Sequence, residues 1–367
     1  MEELGTNETT QKVVASQSEI FQKHWFCVAL SPSGSTVKMD AESPAAFLEI
    51  LSQSTIAWID YWTDDFDKDA PVAAAQLGFS DLLISSLTGD SRLTYQDFDN
   101  EMGIKLPSIQ VRQLEVQAHP LLLLLQKNFV LSIHPLSVDR RFTRLRRYSD
   151  TVLRKIPLNA CIEDKLTLLL IRIIDETNER NFEHLQQIEE RGDELNKDLM
   201  DPTTPRERLG PKIYEMKHAL ITYLNALWQS VDVLHALRYG DAQLITDEPK
   251  LLYRINILTE DVNRQISLAE HMSEVLASGL EVLQTIYNNQ LQALNNRLAL
   301  VMTYLTIIGT AILVPNTLAT IFSSSAFDMK SSDMGWYVAL LVVSTVVITG
   351  LVYWWVKRQG WIPRKVD

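Results

Sequence analysis

The sequence predicts an α+β domain, then long helices, then two transmembrane α-helices near the C-terminal end. Two long apolar runs without Asp, Glu, Lys, Arg or His predict the transmembrane helices. Mixed strand and helix patterns up to residue 136 predict the α+β domain, and helical periodicity from there to residue 297 predicts a stalk. These patterns divide the chain into a disordered lead 1–21, a cytoplasmic α/β domain 22–136, a cytoplasmic helical stalk 137–297, a first span 298–322, an extracytoplasmic loop 323–333, a second span 334–356 and a basic cytoplasmic tail 357–367.

The first domain alternates between strand-like and helix-like stretches. Four stretches have the alternation, the β-branched content or the continuous apolar run of strands, and the last two are joined at Lys127-Asn128. These predicted strands are Thr55–Trp62, Ile109–Gln117, Pro120–Gln126 and Phe129–Ile133. Helices are predicted over Pro44–Gln53 and Val72–Leu87.

The stalk is predicted to be entirely helical. One helix is expected over Cys161–Met200, and a return helix over Arg206–Tyr239 follows a Pro-containing break. From Pro249 no proline interrupts the chain until Pro315, so we expect one helix to continue into the first span.

Each apolar run is long enough to cross a membrane. Leu298–Phe322 has 25 residues and Met334–Val356 has 23, and about 20 helical residues cross a hydrocarbon core. Basic residues flank the pair, with Arg297 before it and Lys357 and Arg358 after it. The positive-inside rule therefore predicts a multi-pass protein of the cell membrane with both termini in the cytoplasm.

Hydroxyl side chains recur on one side of the first span. Spacings of 3, 4, 7, 3 and 4 residues place six of them on one helical face, and Leu313 fills the skipped position. The predicted pore-lining set is Thr303, Thr306, Thr310, Leu313, Thr317, Thr320 and Ser324. Each hydroxyl could instead bond to a carbonyl of its own helix or pack against another helix. Six hydroxyls in register beside Pro315-Asn316 favour a face in contact with water.

Charge limits the possible partners and chemistry. The net charge is −12; the region 298–356 contributes −1 and the tail +3, which leaves −14 for residues 1–297. Such an acidic domain repels nucleic acid and attracts cations.

A loop rich in carboxylates is the candidate cation site of the first domain. Several carboxylates in one loop can bind a hard cation, or the loop can simply be solvated; the candidates are Asp60, Asp64, Asp65, Asp67 and Asp69. The phosphate-loop, HExxH, GxSxG and paired CxxC motifs are missing from the sequence, so we predict neither an enzyme nor a bound cofactor.

Several short motifs resemble the CorA magnesium-transporter superfamily. Trp58-Ile59-Asp60 is similar to a strand of that family, and the stretch from Lys127 to His134 is similar to a later strand. Leu305-Thr306-Ile307-Ile308 and Pro315-x-Thr317 resemble the family's first span. The resemblance covers about residues 22–362 and implies a homopentamer in contact with membrane lipid. In such a pentamer Leu305 and Leu313 are candidate hydrophobic constrictions.

The family's Gly-Met-Asn signature at the end of the first span is replaced in this sequence. Counting from Pro315 places Ser324-Ser325-Ala326 there, and Ala326 lacks the amide of the signature Asn. Asp328 and Asp333 are the acidic residues of the following loop. We therefore expect an outer mouth formed by Ser324, Ser325, Ala326, Asp328 and Asp333.

The leading hypothesis is transport of a divalent cation, Mg²⁺ first, through a homo-oligomeric pore, with the cation as cargo and as possible regulator. One alternative is Zn²⁺ transport of the ZntB type, although His and Cys, the usual Zn²⁺ ligands, do not occur on the pore-lining face. Another is a membrane-anchored scaffold that kept the fold without transport.

Overall fold

The computed structural model describes residues 24–88, 93–98, 100–112, 114–200, 204–239, 242–322 and 334–358. These residues belong to two compact units, one up to Leu280 and one from Glu281 onward. The predicted lead 1–21, loop 323–333 and tail from residue 359 lie outside the described residues, so the predictions made for them stay predictions.

The first unit is built on one sheet of seven strands. The strands are β1 Trp25–Leu30, β2 Thr36–Ala41, β3 Ile56–Thr63, β4 Tyr95–Phe98, β5 Glu101–Arg112, β6 Glu115–Gln126 and β7 Phe129–Pro135. Their order in the sheet is β2-β1-β3-β7-β6-β5-β4. Neighbouring strands are antiparallel except β3 and β7, which are parallel and pair Asp60 with Ser132. An apolar core of residues from β1, β3, β6, β7 and the short helices lies on one face of the sheet.

Eight α-helices complete the described chain. They are α1 Leu48–Gln53, α2 Phe66–Gln76, α3 Asp81–Leu87, α4 Asp139–Arg154, α5 Ile162–Met200, α6 Leu209–Tyr239, α7 Pro249–Phe322 and α8 Met334–Arg358. Helix α4 packs on β1 and β2, and α5 and α6 pack on β5. The predicted α+β domain, long helices and two apolar C-terminal helices are therefore confirmed. The single helix predicted from Pro249 to Phe322 is also present.

Two local predictions were wrong. The strand predicted over Ile109–Gln117 is the tip of a hairpin, because β5 ends at Arg112 and β6 begins at Glu115. The helix predicted over Val72–Leu87 is two helices. Gly78 has φ +90°, a value that favours glycine, and the Ser80 side chain accepts a hydrogen bond from the Leu83 amide and caps α3.

The turn between β6 and β7 is where the sequence placed it. Lys127 has a positive φ of 47°, and the side-chain amide of Asn128 donates to the carbonyls of Leu51 and Ser54. These two bonds satisfy carbonyls at the end of α1 and tie that end to the hairpin.

Candidate functional site

The threonines of the predicted pore face are all helical and all bond to their own helix. Each hydroxyl donates to the carbonyl four residues earlier, at distances of 2.7–2.8 Å, and the threonines are Thr303, Thr306, Thr310, Thr317 and Thr320. This is the alternative geometry that the sequence left open. A hydroxyl that donates one hydrogen bond keeps its oxygen lone pairs, so these side chains can still accept a bond from water or contact a cation.

Exposure divides this face into two groups. Thr306, Thr317 and Thr320 are exposed, whereas Thr303 and Thr310 are half-buried. Ile307 and Ala311, next to Thr310, are buried. They lie toward the side of α7 that carries Phe322, whose ring contacts Trp336 and Tyr337 of α8 edge-on at 6.2 and 5.9 Å between centroids. The two half-buried threonines are therefore turned toward the covered side of α7.

The two predicted constriction residues are exposed but do not share one line along the helix. Leu305 and Leu313 are 61% and 63% exposed. At about 100° per residue, the eight residues from Leu305 to Leu313 make two full turns and about 80° more, so the two side chains point about 80° apart. The predicted outer-mouth residues, namely Ser324, Ser325, Ala326, Asp328 and Asp333, lie outside the described residues.

Both apolar helices have the length and composition of membrane spans. The most apolar 18-residue windows of α7 and α8 have a mean hydropathy of 2.1, and 11% and 0% of those windows are buried. A core helix of a soluble protein would be mostly buried, so exposure combined with this hydropathy favours a lipid environment.

A second feature of α7 was missed by the sequence reasoning. Eight apolar side chains from Tyr287 to Ile312 follow spacings of 4, 3, 4, 3, 4, 3 and 4, and each is 41–63% exposed. We call this stripe the α7 seam; its members are Tyr287, Leu291, Leu294, Leu298, Val301, Leu305, Ile308 and Ile312. A 3.5-residue average repeat is that of helices packed in a coiled coil. The 4-3 spacing of these apolar residues is the sequence signal that predicts such a stripe.

The predicted carboxylate site does not form around Asp60. This side chain is 0% exposed and points into the fold, where the Arg146 guanidinium donates to Oδ2 at 2.6 Å. The Ser132 hydroxyl donates to its other oxygen, and the His134 Nε2 lies 3.3 Å away. Burial alone would raise the pKa of Asp60, but His134 and Arg146 outweigh it and hold that pKa below its ordinary value of 3.8. Asp60 is therefore half of a buried ion pair.

The other four aspartates are attached to α2 in separate roles. Asp65 caps α2 and pairs with Lys68 at 2.6 Å, and that contact lowers the pKa of Asp65. Asp69 accepts a hydrogen bond from the Thr63 hydroxyl, and Asp64 and Asp67 lie in the same loop and first turn. Throughout the described ranges, no three His, Cys, Asp or Glu side chains are grouped to hold a metal ion. The prediction of a five-aspartate site is corrected accordingly.

Arg146 links this pair to the rest of the domain. Its second nitrogen donates to Asp139 at 2.5 Å, and the guanidinium lies 4.3 Å from the ring centre of Trp62. The His134 ring stacks on the ring of Phe142, which lies on α4 as Arg146 does, with 4.1 Å between ring centroids. The Trp58 indole donates to the Ser132 hydroxyl at 2.9 Å. The motif Trp58-Ile59-Asp60 thus fastens α4 to β3 and β7, which is a structural role.

Comparison with known proteins agrees with this architecture. A model of the family described as CorA-like Mg²⁺ transporter protein matches residues 53–358. No curated protein sequence matches the chain significantly.

Solved structures share the fold at low sequence identity. The complete CorA magnesium transporter of Methanocaldococcus jannaschii has a TM-score of 0.65 at 20% identity, over 92% of this chain and 98% of that one. The full-length CmaX protein has a TM-score of 0.57 at 16% identity, over 92% and 98%. The ZntB cytoplasmic domain of Vibrio parahaemolyticus has a TM-score of 0.54 at 16% identity, over 72% and 98%. Because the family model covers most of the sequence, the chain belongs to the family of CorA-like Mg²⁺ transporter proteins.

Proposed function

We propose that this protein carries Mg²⁺ passively across the cell membrane through a pore lined by α7 of several identical copies. The family is one of divalent-cation transporters, and the observation that carries the rest of the proposal is the exposed α7 seam. Two apolar helices from one chain cannot enclose a path for water, so a pore needs symmetry mates.

The seam supports assembly through α7. Its first members, Tyr287, Leu291 and Leu294, precede Arg297 and the predicted membrane boundary, so in water their burial against another helix is favourable. Its later members continue the same spacing into the span, where close packing stabilises helix pairs. We take the homopentamer implied by the family resemblance as the proposed state.

The faces of α7 indicate which side chains line the proposed pore. Ile307 and Ala311 are buried and mark the covered side of α7. Adjacent residues such as Leu305 and Thr306 point about 100° apart around the helix axis. The side opposite Ile307 and Ala311 therefore lies between the seam and the threonine face. Leu305, Leu313 and Thr320 then point nearest to the axis, and Thr306 lies beside them. Thr303 and Thr310, which are half-buried, lie farther from it.

Oxygen atoms in rings suit a hard divalent cation. In a symmetric assembly each exposed threonine of α7 becomes a ring of hydroxyl oxygens, and the proposed mouth adds Asp328 and Asp333. Leu305 and Leu313 are the proposed narrow apolar points. A divalent ion that falls through 100 mV gains about 4.6 kcal/mol, from 2.3 kcal/mol per charge. The membrane potential therefore suffices to drive uptake, and transport needs neither a nucleotide site nor a catalytic site.

The charges flanking the spans support the proposed orientation, with both termini in the cytoplasm and residues 323–333 outside. A regulatory cytoplasmic cation is not included in the proposal, because Asp60, Asp65 and Asp69 are engaged in the contacts given above and the described residues hold no group of three metal-ligand side chains.

Zn²⁺ is the second candidate cargo, favoured by the similarity in fold to the ZntB cytoplasmic domain. Residues 298–356 contain neither His nor Cys, the side chains that Zn²⁺ usually selects. This composition places Mg²⁺ ahead of Zn²⁺.

The test is uptake of Mg²⁺ into liposomes that contain the purified full chain, with Zn²⁺, Ni²⁺ and Co²⁺ as competitors. We expect Mg²⁺ uptake that Zn²⁺ inhibits weakly. Zn²⁺ uptake without Mg²⁺ uptake would transfer the proposal to the second cargo. An intact oligomer that moves none of these ions would favour a non-transporting scaffold.

A further inference from the structure

Within the first unit, a half-buried group of cationic and imidazole side chains lies apart from the proposed pore. It consists of His119 on β6, Arg141 on α4, and Arg180 and His184 on α5, and we call it the cationic cluster. Arg141 joins these elements: its Nη1 donates to the Ser108 hydroxyl of β5 at 3.1 Å and to the Asn181 side chain of α5 at 3.3 Å. Ser108 pairs with His119 across the β5–β6 ladder.

Each member of the cluster has a buried nitrogen without a hydrogen-bond partner among the described residues. These atoms are Arg141 Nη2, Arg180 Nε, His119 Nε2 and His184 Nδ1. The Nδ1 of His119 lies 3.3 Å from the Ser137 hydroxyl. If that hydroxyl donates to Nδ1, the proton of the neutral ring is on Nε2, which is then a free donor. A buried donor without a partner destabilises the fold.

The charge of the cluster is also poorly balanced. The two hydrogen-bond acceptors of Arg141 are both uncharged. Burial, and then the charge of Arg180, lowers the pKa of Arg141 to about 10, so it stays protonated at neutral pH. Burial followed by the charge of Arg141 lowers the pKa of both His119 and His184. The nearby carboxylate, Glu183, pairs with Arg180 at 2.8 Å.

We propose that the cationic cluster binds a small oxyanion of the phosphate class. Such an ion supplies several acceptor oxygens in different directions, which matches donors that come from one strand and two helices. It also supplies negative charge beside two guanidinium groups that share one carboxylate. Arg residues suit this role because their N–H groups match the geometry of phosphate oxygens.

Entry of the ion needs a small rearrangement at the surface. The side chains of Arg180 and Glu183 are 31% and 50% exposed, and an exposed ion pair of this kind contributes little to stability. Displacement of the Glu183 carboxylate from Arg180 by an oxyanion therefore costs little free energy. The inference does not depend on transport by the membrane unit.

The experiment is thermal unfolding of the full chain in detergent, titrated with inorganic phosphate and, separately, with sodium chloride at equal ionic strength. We expect phosphate to raise Tm saturably and chloride to leave it lower at the same ionic strength. Arg141→Met and Arg180→Gln should weaken the apparent phosphate affinity at least about tenfold, a change of about 1.4 kcal/mol. Arg180→Gln keeps the test valid if Arg141→Met does not fold.

Arg172→Gln is the matched control, because Arg172 is a partly exposed arginine of the same helix paired with Asp175 at 3.0 Å. It should bind phosphate as the wild type does. Equal responses to phosphate and chloride in the wild type would overturn the proposal. So would an affinity loss in Arg172→Gln as large as that in Arg180→Gln.

Discussion

In the first unit the buried carboxylate Asp60 is held by partners from the same chain, whereas in the second unit the apolar seam of α7 is 41–63% exposed. The first unit pairs a buried aspartate with Arg146 and encloses a continuous apolar core. The second has two helices whose apolar windows are 11% and 0% buried. The difference teaches that one chain suffices to complete the sheet domain, while the membrane unit depends on lipid and, in our proposal, on copies of itself.

The largest expected effect is on assembly. Leu291→Asp combined with Leu294→Asp places two charges in the α7 seam before the membrane boundary and removes about 1.5–3 kcal/mol of apolar burial per leucine. We expect the oligomer of the wild type in detergent to be replaced by smaller species, measured by light scattering or native mass spectrometry.

Val282→Asp is the control for this change, since Val282 is 56% exposed, as Leu291 is at 57%, but lies off the seam. It should keep the wild-type mass. An unchanged mass in the double variant would remove the seam from the interface.

A smaller effect is expected from breaking the buried ion pair. Asp60→Ala removes the buried carboxylate that pairs with Arg146 and leaves Arg146 paired with Asp139, and loss of one partner of a buried ion pair costs about 3–5 kcal/mol. Hydrogen exchange of the β3 and β7 amides should accelerate by at least two orders of magnitude, at about 1.4 kcal/mol for each tenfold change. Lys68→Ala, which removes an exposed partner of Asp65, should leave these rates nearly unchanged.

The same pair should make the domain sensitive to acid. Because the folded pKa of Asp60 is below its ordinary 3.8, its carboxylate stabilises the fold above that pH and loses this contribution as the pH falls through the folded pKa. Asp60→Asn should therefore flatten the acid limb of the stability profile below about pH 4. An acid limb as steep as that of the wild type would assign the sensitivity to other carboxylates.

A still smaller effect is expected from single threonine substitutions in α7, and its size should depend on exposure. Thr306→Leu removes an exposed hydroxyl near the proposed axis and should lower Mg²⁺ flux by about tenfold, which corresponds to about 1.4 kcal/mol of added barrier. Thr310→Leu changes a half-buried hydroxyl and should have less effect. Thr349→Leu in α8, whose hydroxyl also bonds to its own helix at 2.7 Å, is the control. Equal losses from Thr306→Leu and Thr349→Leu would argue against the threonine face.

The smallest effect is expected at the remaining aspartates. Asp64→Asn with Asp67→Asn should change the unfolding free energy by less than about 0.5 kcal/mol, as surface substitutions do, and should leave the Mg²⁺ dependence of unfolding unchanged. A marked loss of Mg²⁺ stabilisation, measured by thermal melts, would restore a cation site at this loop.

The sequence predicted elements best where one physical signal dominated. Uncharged runs identified the apolar parts of α7 and α8, and the β-rich segments identified β3 and β7 to within two residues. The hairpin at Arg112–Glu115 was missed because the alternation of Ile109–Gln117 continues through its tip. No local signal showed that Asp60 would face Arg146, which is 86 residues away in the chain; that contact depends on how α4 packs. The α7 seam, by contrast, is local, and its 3.5-residue repeat was available in the sequence.

The most direct test of the central claim is voltage-driven Mg²⁺ uptake by liposomes that contain either the wild type or the Leu291→Asp, Leu294→Asp variant. The account predicts uptake by the wild type that increases with an inside-negative potential, and none above empty liposomes for the variant. Absence of uptake by the wild type, or undiminished uptake by a variant that no longer assembles, would contradict a cation pore formed by copies of α7.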